Sequence, residues 1–406
     1  MSDLLTNAIQ PTGEVATGWS QRSAVAIAAQ KAHEALFEPN ESEPIVGPSV
    51  PQRRALAARV ARQHGAQWLA EHHEAALAGE SAEVGDSYRD YADLLSLSPA
   101  LITGPDTEAL LDAGLSPDEL VVNGQIVALT VFQARLVAGL RLLSGHDPQA
   151  VVSGPPALSP GRVKTRPPVV ANGRPVPAAY TRSMLGWLPW VAPIADEDLS
   201  DKQRAAFDGK PNIDYFRLLA REPEVLVART AVDDAIFGGV PSGEVSDGEG
   251  VDGQGPDEQT PSNLPFAERE LAATATSKVN DCLYCASVHA RKAAQLTKRT
   301  DDVDRLLAIE PERADGWTLT DPAAIAELAA GQEPRWANVI TAAGGIAAGS
   351  WSLVEESFER LRELGVTDSE VIDLVGAASF FSWANRLMLT LGEPFEPERT
   401  RLGQRA

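Results

Sequence analysis

The chain has 406 residues, 44% of them hydrophobic, and a formal net charge of −22. That length allows two domains with a full core in each. The acidic balance argues against DNA, RNA or anionic lipid as the main partner, because those bind through basic surfaces, and it suits a cytoplasmic protein.

The N-terminus lacks a basic region followed by a long apolar run, so it does not read as a signal peptide. Residues 22–37 carry a helical pattern, and residues 51–78 place apolar positions at helical spacing among many alanines. A second long helix is expected over 116–143. Ser116 is its N-cap, Pro117 stands at the first helical position, and Glu119 completes a capping box. Residues 146–180 then turn rich in Pro and Gly and read as an interdomain linker, placed at 151–186 between helical regions 1–150 and 187–406. The second region is interrupted at 241–260, which holds six acidic and no basic residues and reads as a flexible, solvated loop. Residues 371–391 are the most apolar stretch. They contain Asp373, Asn385 and Arg386, so no membrane span is expected. No alternation typical of strands stands out, and the expected fold is all-α.

Two segments resemble each other. Residues 115–136 align with 366–387, setting Glu119 against Glu370, Phe132 against Trp383, Arg135 against Arg386 and Leu136 against Leu387. A weaker match sets 54–73 against 268–289, with His72 or His73 opposite His289. The pattern points to an internal duplication in which only the second half carries chemistry. His72 and His73 read as surface helix residues. Trp187, Trp190, Trp351 and Trp383 read as core or interface aromatics, and Arg386 is assigned no role.

The chain has two cysteines, Cys282 and Cys285. A bridge between them would close too short a loop to constrain much of the unfolded chain, so the pair reads as redox or metal chemistry. Pro265 is suited to open a helix with Asn263 as N-cap, and Asn280 and Asp281 are suited to cap a second one. Cys282 then falls in the first turn, Cys285 one turn on and His289 four residues further, all on one face. The helix N-terminus favours thiolate over thiol. His289 is placed to take the proton of Cys285, and Glu270, on the preceding helix, to orient His289 or pass its proton on.

The run E-x11-C-x-x-C-x-x-x-H, here Glu270, Cys282, Cys285 and His289, resembles that of the AhpD-like alkylhydroperoxidases of the carboxymuconolactone decarboxylase superfamily. Ser277, Asn280 and Tyr284 match the residues between, and 215–230 resembles the helix ahead of the motif in peroxidase-related members. The resemblance covers roughly 187–391; the first half looks like a degenerate copy without cysteines. It implies two AhpD-like helical domains and reduction of an organic hydroperoxide. Cys285 would be the peroxidatic cysteine, Cys282 the resolving one, and His289 with Glu270 the proton relay. A dithiol such as a lipoyl protein or thioredoxin would be the reductant, with neither cofactor nor metal. The family's decarboxylase branch lacks the cysteine pair. Family members form trimers or hexamers, so a chain with two copies implies a trimer built as a pseudo-hexamer.

Other readings stay open. The cysteines suit inert core positions, or zinc ligation with His289 and Glu270. Glu270, in an AERE run, also suits a solvated face. The chain as a whole could be a disulfide oxidoreductase or redox sensor without peroxidase turnover, or a non-catalytic assembly protein.

Overall fold

The structure, a computed structural model, describes residues 3–40, 45–77, 79, 82–149, 164, 167–207, 213–238, 264–313 and 318–398. The acidic segment 241–260, Asn263 and, within 151–186, all of 151–163 with 165 and 166 lie outside the described residues. The described residues are 68% helical, as the all-α reading expects. Among the described residues, strands are confined to Gly186–Pro189 and Gly392–Phe395, which pair antiparallel with Trp187 opposite Pro394. Their pairing is non-local and each is four residues long, too short to show an alternating pattern.

Helices form where caps and apolar spacing agree. Pro117–Leu143 carries the expected capping box: the Glu119 amide donates to Ser116 Oγ (3.2 Å), and the Ser116 amide to Glu119 Oε2 (2.7 Å). Asp368–Leu391 opens the same way on Thr367 and Glu370. The single helix expected over 51–78 is instead two, Val50–Gln63 and Gln67–Ala76. Gly65 at φ +68° breaks it in the left-handed region that a side chain disfavours.

The long helices Pro117–Leu143 and Asp368–Leu391 pack against each other and run antiparallel. Gly124 faces Leu387, Phe132 meets Trp383 at 5.4 Å between ring centroids, and Gly139 faces Val375. The aligned pair Phe132 and Trp383 thus meets at the crossing. Trp383 Nε1 donates to Gln125 Oε1 (3.0 Å) beside it. A Cβ at Gly139 would stand 2.7 Å from Val375 Cγ1, so glycine lets the backbones approach here. One cluster of buried apolar side chains runs from Leu5 to Leu391 and takes in elements from both parts of the chain. Pro117–Leu143, among the described residues, is also long and apolar enough to cross a membrane. Its most apolar window is 94% buried against other helices, which a core helix also explains.

His72 and His73 are not the surface residues expected from sequence. His73 is fully buried against His33 and Phe37, with ring centroids 5.4 and 4.5 Å away, and His72 is half-buried, its Nε2 3.3 Å from His33 Nε2. The Ser23–Phe37 helix covers the face that sequence left open to water. Burial first, then the His72 and Arg54 charges, push His33 down to about 3. His73 is lowered by burial and the charges of His33, His72 and Arg54; His64 is lowered by burial and the charges of Arg135 and Arg386. These imidazoles stay neutral in the folded chain, whereas in the unfolded chain they bind protons near pH 6.5. Stability is therefore full above about pH 6.5 and falls as pH drops below it. At pH 5 His33 alone costs about 2 kcal/mol, and His64 and His73 add in the same direction. Urea unfolding from pH 7.5 to 5 should show this loss, and His33→Leu should flatten the profile.

Candidate functional site: a buried Cys–Cys–His–Glu constellation

The helix Phe266–Val279 brings Glu270 to the centre of the fold. It packs on Leu283–Thr297, Pro334–Ala348 and Asp368–Leu391, and every residue from Ala267 to Val279 is buried. Glu270 is 1% exposed, which overturns the solvated-face reading of the AERE run. No face of this helix is left for water. Arg269, equally buried, donates from Nη1 to the Ile236 carbonyl (2.5 Å), and Glu268 pairs with Arg335.

How this helix ends decides where the cysteines sit. Pro265, rather than Asn263, occupies its N-cap position. At its C-terminus Asn280 is the C-cap and Asp281 follows in the left-handed region at φ 57°. The Cys282 amide then donates to the Ser277 carbonyl (2.8 Å) and the Asp281 amide to that of Lys278 (3.1 Å). This is the Schellman pattern of helix termination. Asn280 and Asp281 therefore close the first helix and do not cap the second. Cys282 is itself the N-cap of Leu283–Thr297, not a first-turn residue, and Cys285 is its third helical residue. Aspartate tolerates the left-handed position better than most residues. Its carboxylate is held by the Tyr180 hydroxyl (2.6 Å) and by Lys164, so the described part of the expected linker packs onto the turn. Lys278 reaches back to the carbonyls of Leu307 (2.8 Å) and Ile309 (2.6 Å), over the Tyr180 ring at 4.1 Å, and burial lowers it to about 7. Asn280 Nδ2 donates to Asn385 Oδ1 and Asn385 Nδ2 to Ser277 Oγ, both at 3.1 Å. Two of the motif's intervening residues thus tie the turn to the Asp368–Leu391 helix.

The structure brings all four expected site residues together. His289 Nδ1 is hydrogen-bonded to Glu270 Oε2, and Lys292 Nζ lies 3.6 Å from Glu270 Oε1. Burial alone would raise the Glu270 carboxyl; the His289 and Lys292 charges, the His289 hydrogen bond and the Arg269 charge outweigh it, and the net direction is down. Phe381 stands edge-on to the His289 ring at 4.2 Å and Phe237 lies 6.3 Å away. With Nδ1 engaged by the carboxylate, Nε2 is the ring nitrogen left for proton transfer. Cys282 is 1% and Cys285 5% exposed, both as free thiols. Burial, then the hydrogen bond to Cys285 and its charge, push the Cys282 thiol well above the ordinary range. Among the described residues no group of three or more His, Cys, Asp or Glu side chains is arranged to hold a metal ion. Glu270, the fourth ligand of the zinc alternative, is turned onto His289 and Lys292.

Each cysteine borders a different cavity. One, of about 450 Å³, is lined by Cys285 and His289 with Trp187, Tyr215, Arg229 and Phe381. The other, of about 500 Å³, is lined by Cys282 and Asp281 with Ile102, Gly104, Lys164 and Trp190. Tyr284, Trp187 and Met388 border both. Sequence reasoning missed Lys292, although it lies three residues beyond His289 on the same face. It also missed the cavity role of Arg229, which lies within the 215–230 segment already singled out but reaches the site only through packing of its helix.

The turn between Val50–Gln63 and Gln67–Ala76 has a backbone geometry similar to that around Asp281, without cysteines. His64 caps Val50–Gln63, Gly65 takes the left-handed position, and Ala66 is the N-cap of Gln67–Ala76, its amide donating to the Ala61 carbonyl (2.9 Å). In this register Arg54 stands where the second half has Glu270, Ala66 where it has Cys282, Leu69 where it has Cys285, and His73 where it has His289. Arg53 donates to the Leu36 carbonyl (3.1 Å) as Arg269 does to that of Ile236.

Residues 256–330, the stretch that contains all four site residues, match the model of the carboxymuconolactone decarboxylase family, within the AhpD-like superfamily. No curated protein matches the chain.

Proposed function

On the premise of that family match, we propose that the protein is a thiol-dependent peroxidase that reduces organic hydroperoxides. The observation that carries the reading is a histidine already bonded to a buried carboxylate, lining the same cavity as Cys285. His289 Nε2 takes the Cys285 proton. The thiolate attacks the distal peroxide oxygen, the O–O bond breaks, and the alcohol leaves with a proton returned through His289, giving a Cys285 sulfenic acid. The Cys282 thiol, protonated until this point, passes its proton to the leaving hydroxyl as its sulfur attacks that of Cys285, so that water leaves as the Cys282–Cys285 disulfide forms. A dithiol such as a lipoyl protein or thioredoxin restores both thiols by exchange and is itself oxidised. The separate cavity bordering Cys282 suits the approach of that reductant.

We read the first half as a degenerate copy of the same domain, serving as scaffold, and the working assembly as a cytoplasmic trimer. The test is thiol titration before and after one equivalent of hydroperoxide, with mass mapping of the bridge. Both thiols should disappear into an intrachain Cys282–Cys285 disulfide. Two free thiols after excess peroxide, in a chain that stays folded, overturn the peroxidase reading.

A further inference from the structure

We propose that the cavity bordering Cys285 selects hydroperoxides that carry a carboxylate, and that Arg229 is the group that pairs with it; this rests on the peroxidase reading. Arg229 lies on the Pro223–Phe237 helix and is 3% exposed. Among the described residues its Nε and Nη1 are buried without a hydrogen-bond partner. Asp233, one turn on, forms a buried ion pair with it that offsets its charge, but the nearest carboxylate oxygen stands 3.8 Å from Nη1, beyond hydrogen-bond reach, so the donors stay unmet. A guanidinium presents donors in a rigid fork and cannot shed its charge, so burying it with those donors unmet is costly unless a ligand meets them.

The surroundings fix where that ligand lies. The guanidinium carbon stands 4.9 Å from the Phe380 ring centroid and 5.6 Å from that of Tyr215, which restrains its orientation by cation–π contact. Arg229 lines the same cavity as Cys285 and His289, and much of the remaining wall is Trp187, Val288, Phe381 and Met388. Asp214, the cavity's acidic side chain, is exposed. An amphipathic substrate therefore fits in one orientation: carboxylate on Arg229, apolar body against the aromatic wall, peroxide at Cys285. A carboxylate pairs bidentately with arginine, a geometry that lysine does not reproduce.

The experiment compares a fatty-acid hydroperoxide with its methyl ester, and separately the binding of decanoate with that of decanol by calorimetry, where no turnover is needed. Wild type should favour the acid over the ester by about tenfold or more in kcat/KM and bind decanoate tighter than decanol by a similar factor. Arg229→Gln should bring both ratios close to one, and Arg229→Lys should recover part of each. Equal handling of acid and ester, together with equal binding of decanoate and decanol, overturns the inference in wild type itself, whatever the variants do. So do ratios that Arg229→Gln leaves unchanged. If no hydroperoxide is consumed but decanoate binding depends on Arg229, the peroxidase reading falls and the anion site stands.

Discussion

Cys285→Ser should leave a folded protein whose peroxide consumption is down by more than about 10³-fold, the scale on which an enzyme loses its nucleophile. Cys282→Ser should behave differently. It should still form one sulfenic acid per chain, trapped by dimedone and seen by mass spectrometry, but should not turn over, because no neighbouring thiol can close the bridge. The asymmetry follows from where the two sulfurs sit. Cys285 is inside the first turn of Leu283–Thr297 and shares its cavity with His289. Cys282 is one turn earlier, as the N-cap, and borders the other cavity. Burial and the hydrogen bond to Cys285 hold its thiol well above the ordinary range, so it stays protonated at neutral pH while Cys285 reacts. Equal residual turnover in the two variants would overturn this assignment of attacking and resolving roles.

The grouping of the four candidate site residues was legible because they are close in sequence. Cys282, Cys285 and His289 repeat at helical spacing, and Glu270 sits one short helix upstream. The capping boxes at Ser116 and Thr367 were equally local. What local pattern could not show was the sense of Asn280–Asp281. Both residues suit the start of a helix and, through their tolerance of left-handed backbone, its end. The contacts of Asp281 with Tyr180 and Lys164, about a hundred residues away, go with the second outcome. Burial was hard to read locally for a related reason. An AERE run and a pair of adjacent histidines look solvated along the chain, yet Glu270 and His73 are covered by helices from distant segments. Arg229 has no local mark at all, since an arginine in an amphipathic helix ordinarily faces water. Gly65 differs: an isolated glycine inside an alanine-rich helical pattern is a local signal of a break, and reading 51–78 as one helix passed over it.

Glu270 is where stability and mechanism meet, and its two substitutions should separate them. The carboxylate is buried between His289 and Lys292, with the Arg269 charge near enough to act on it, and these partners lower its pKa against the effect of burial. Because the shift is downward, its contribution to folding is fully present above the usual carboxylate range and is lost only as pH falls below it. Glu270→Ala leaves a cavity and strands Lys292 and the His289 ring without their acceptor. Breaking a buried pair in this way costs about 3–5 kcal/mol, which urea denaturation at pH 7 should register. Glu270→Gln keeps the shape and one carbonyl acceptor for His289 Nδ1–H, so its loss of stability should be smaller. The two should nonetheless share a slowed reaction of Cys285 with peroxide, by about 10²-fold, because without the negative charge the imidazolium formed on taking the thiol proton is no longer stabilised. The deficit should shrink as pH rises and hydroxide replaces the base. His289→Ala should show the same pH pattern while keeping the Glu270–Lys292 pair. A Glu270→Gln variant that reacts with peroxide at the wild-type rate at pH 7 would remove the carboxylate from the proton path and leave it a counter-ion for Lys292.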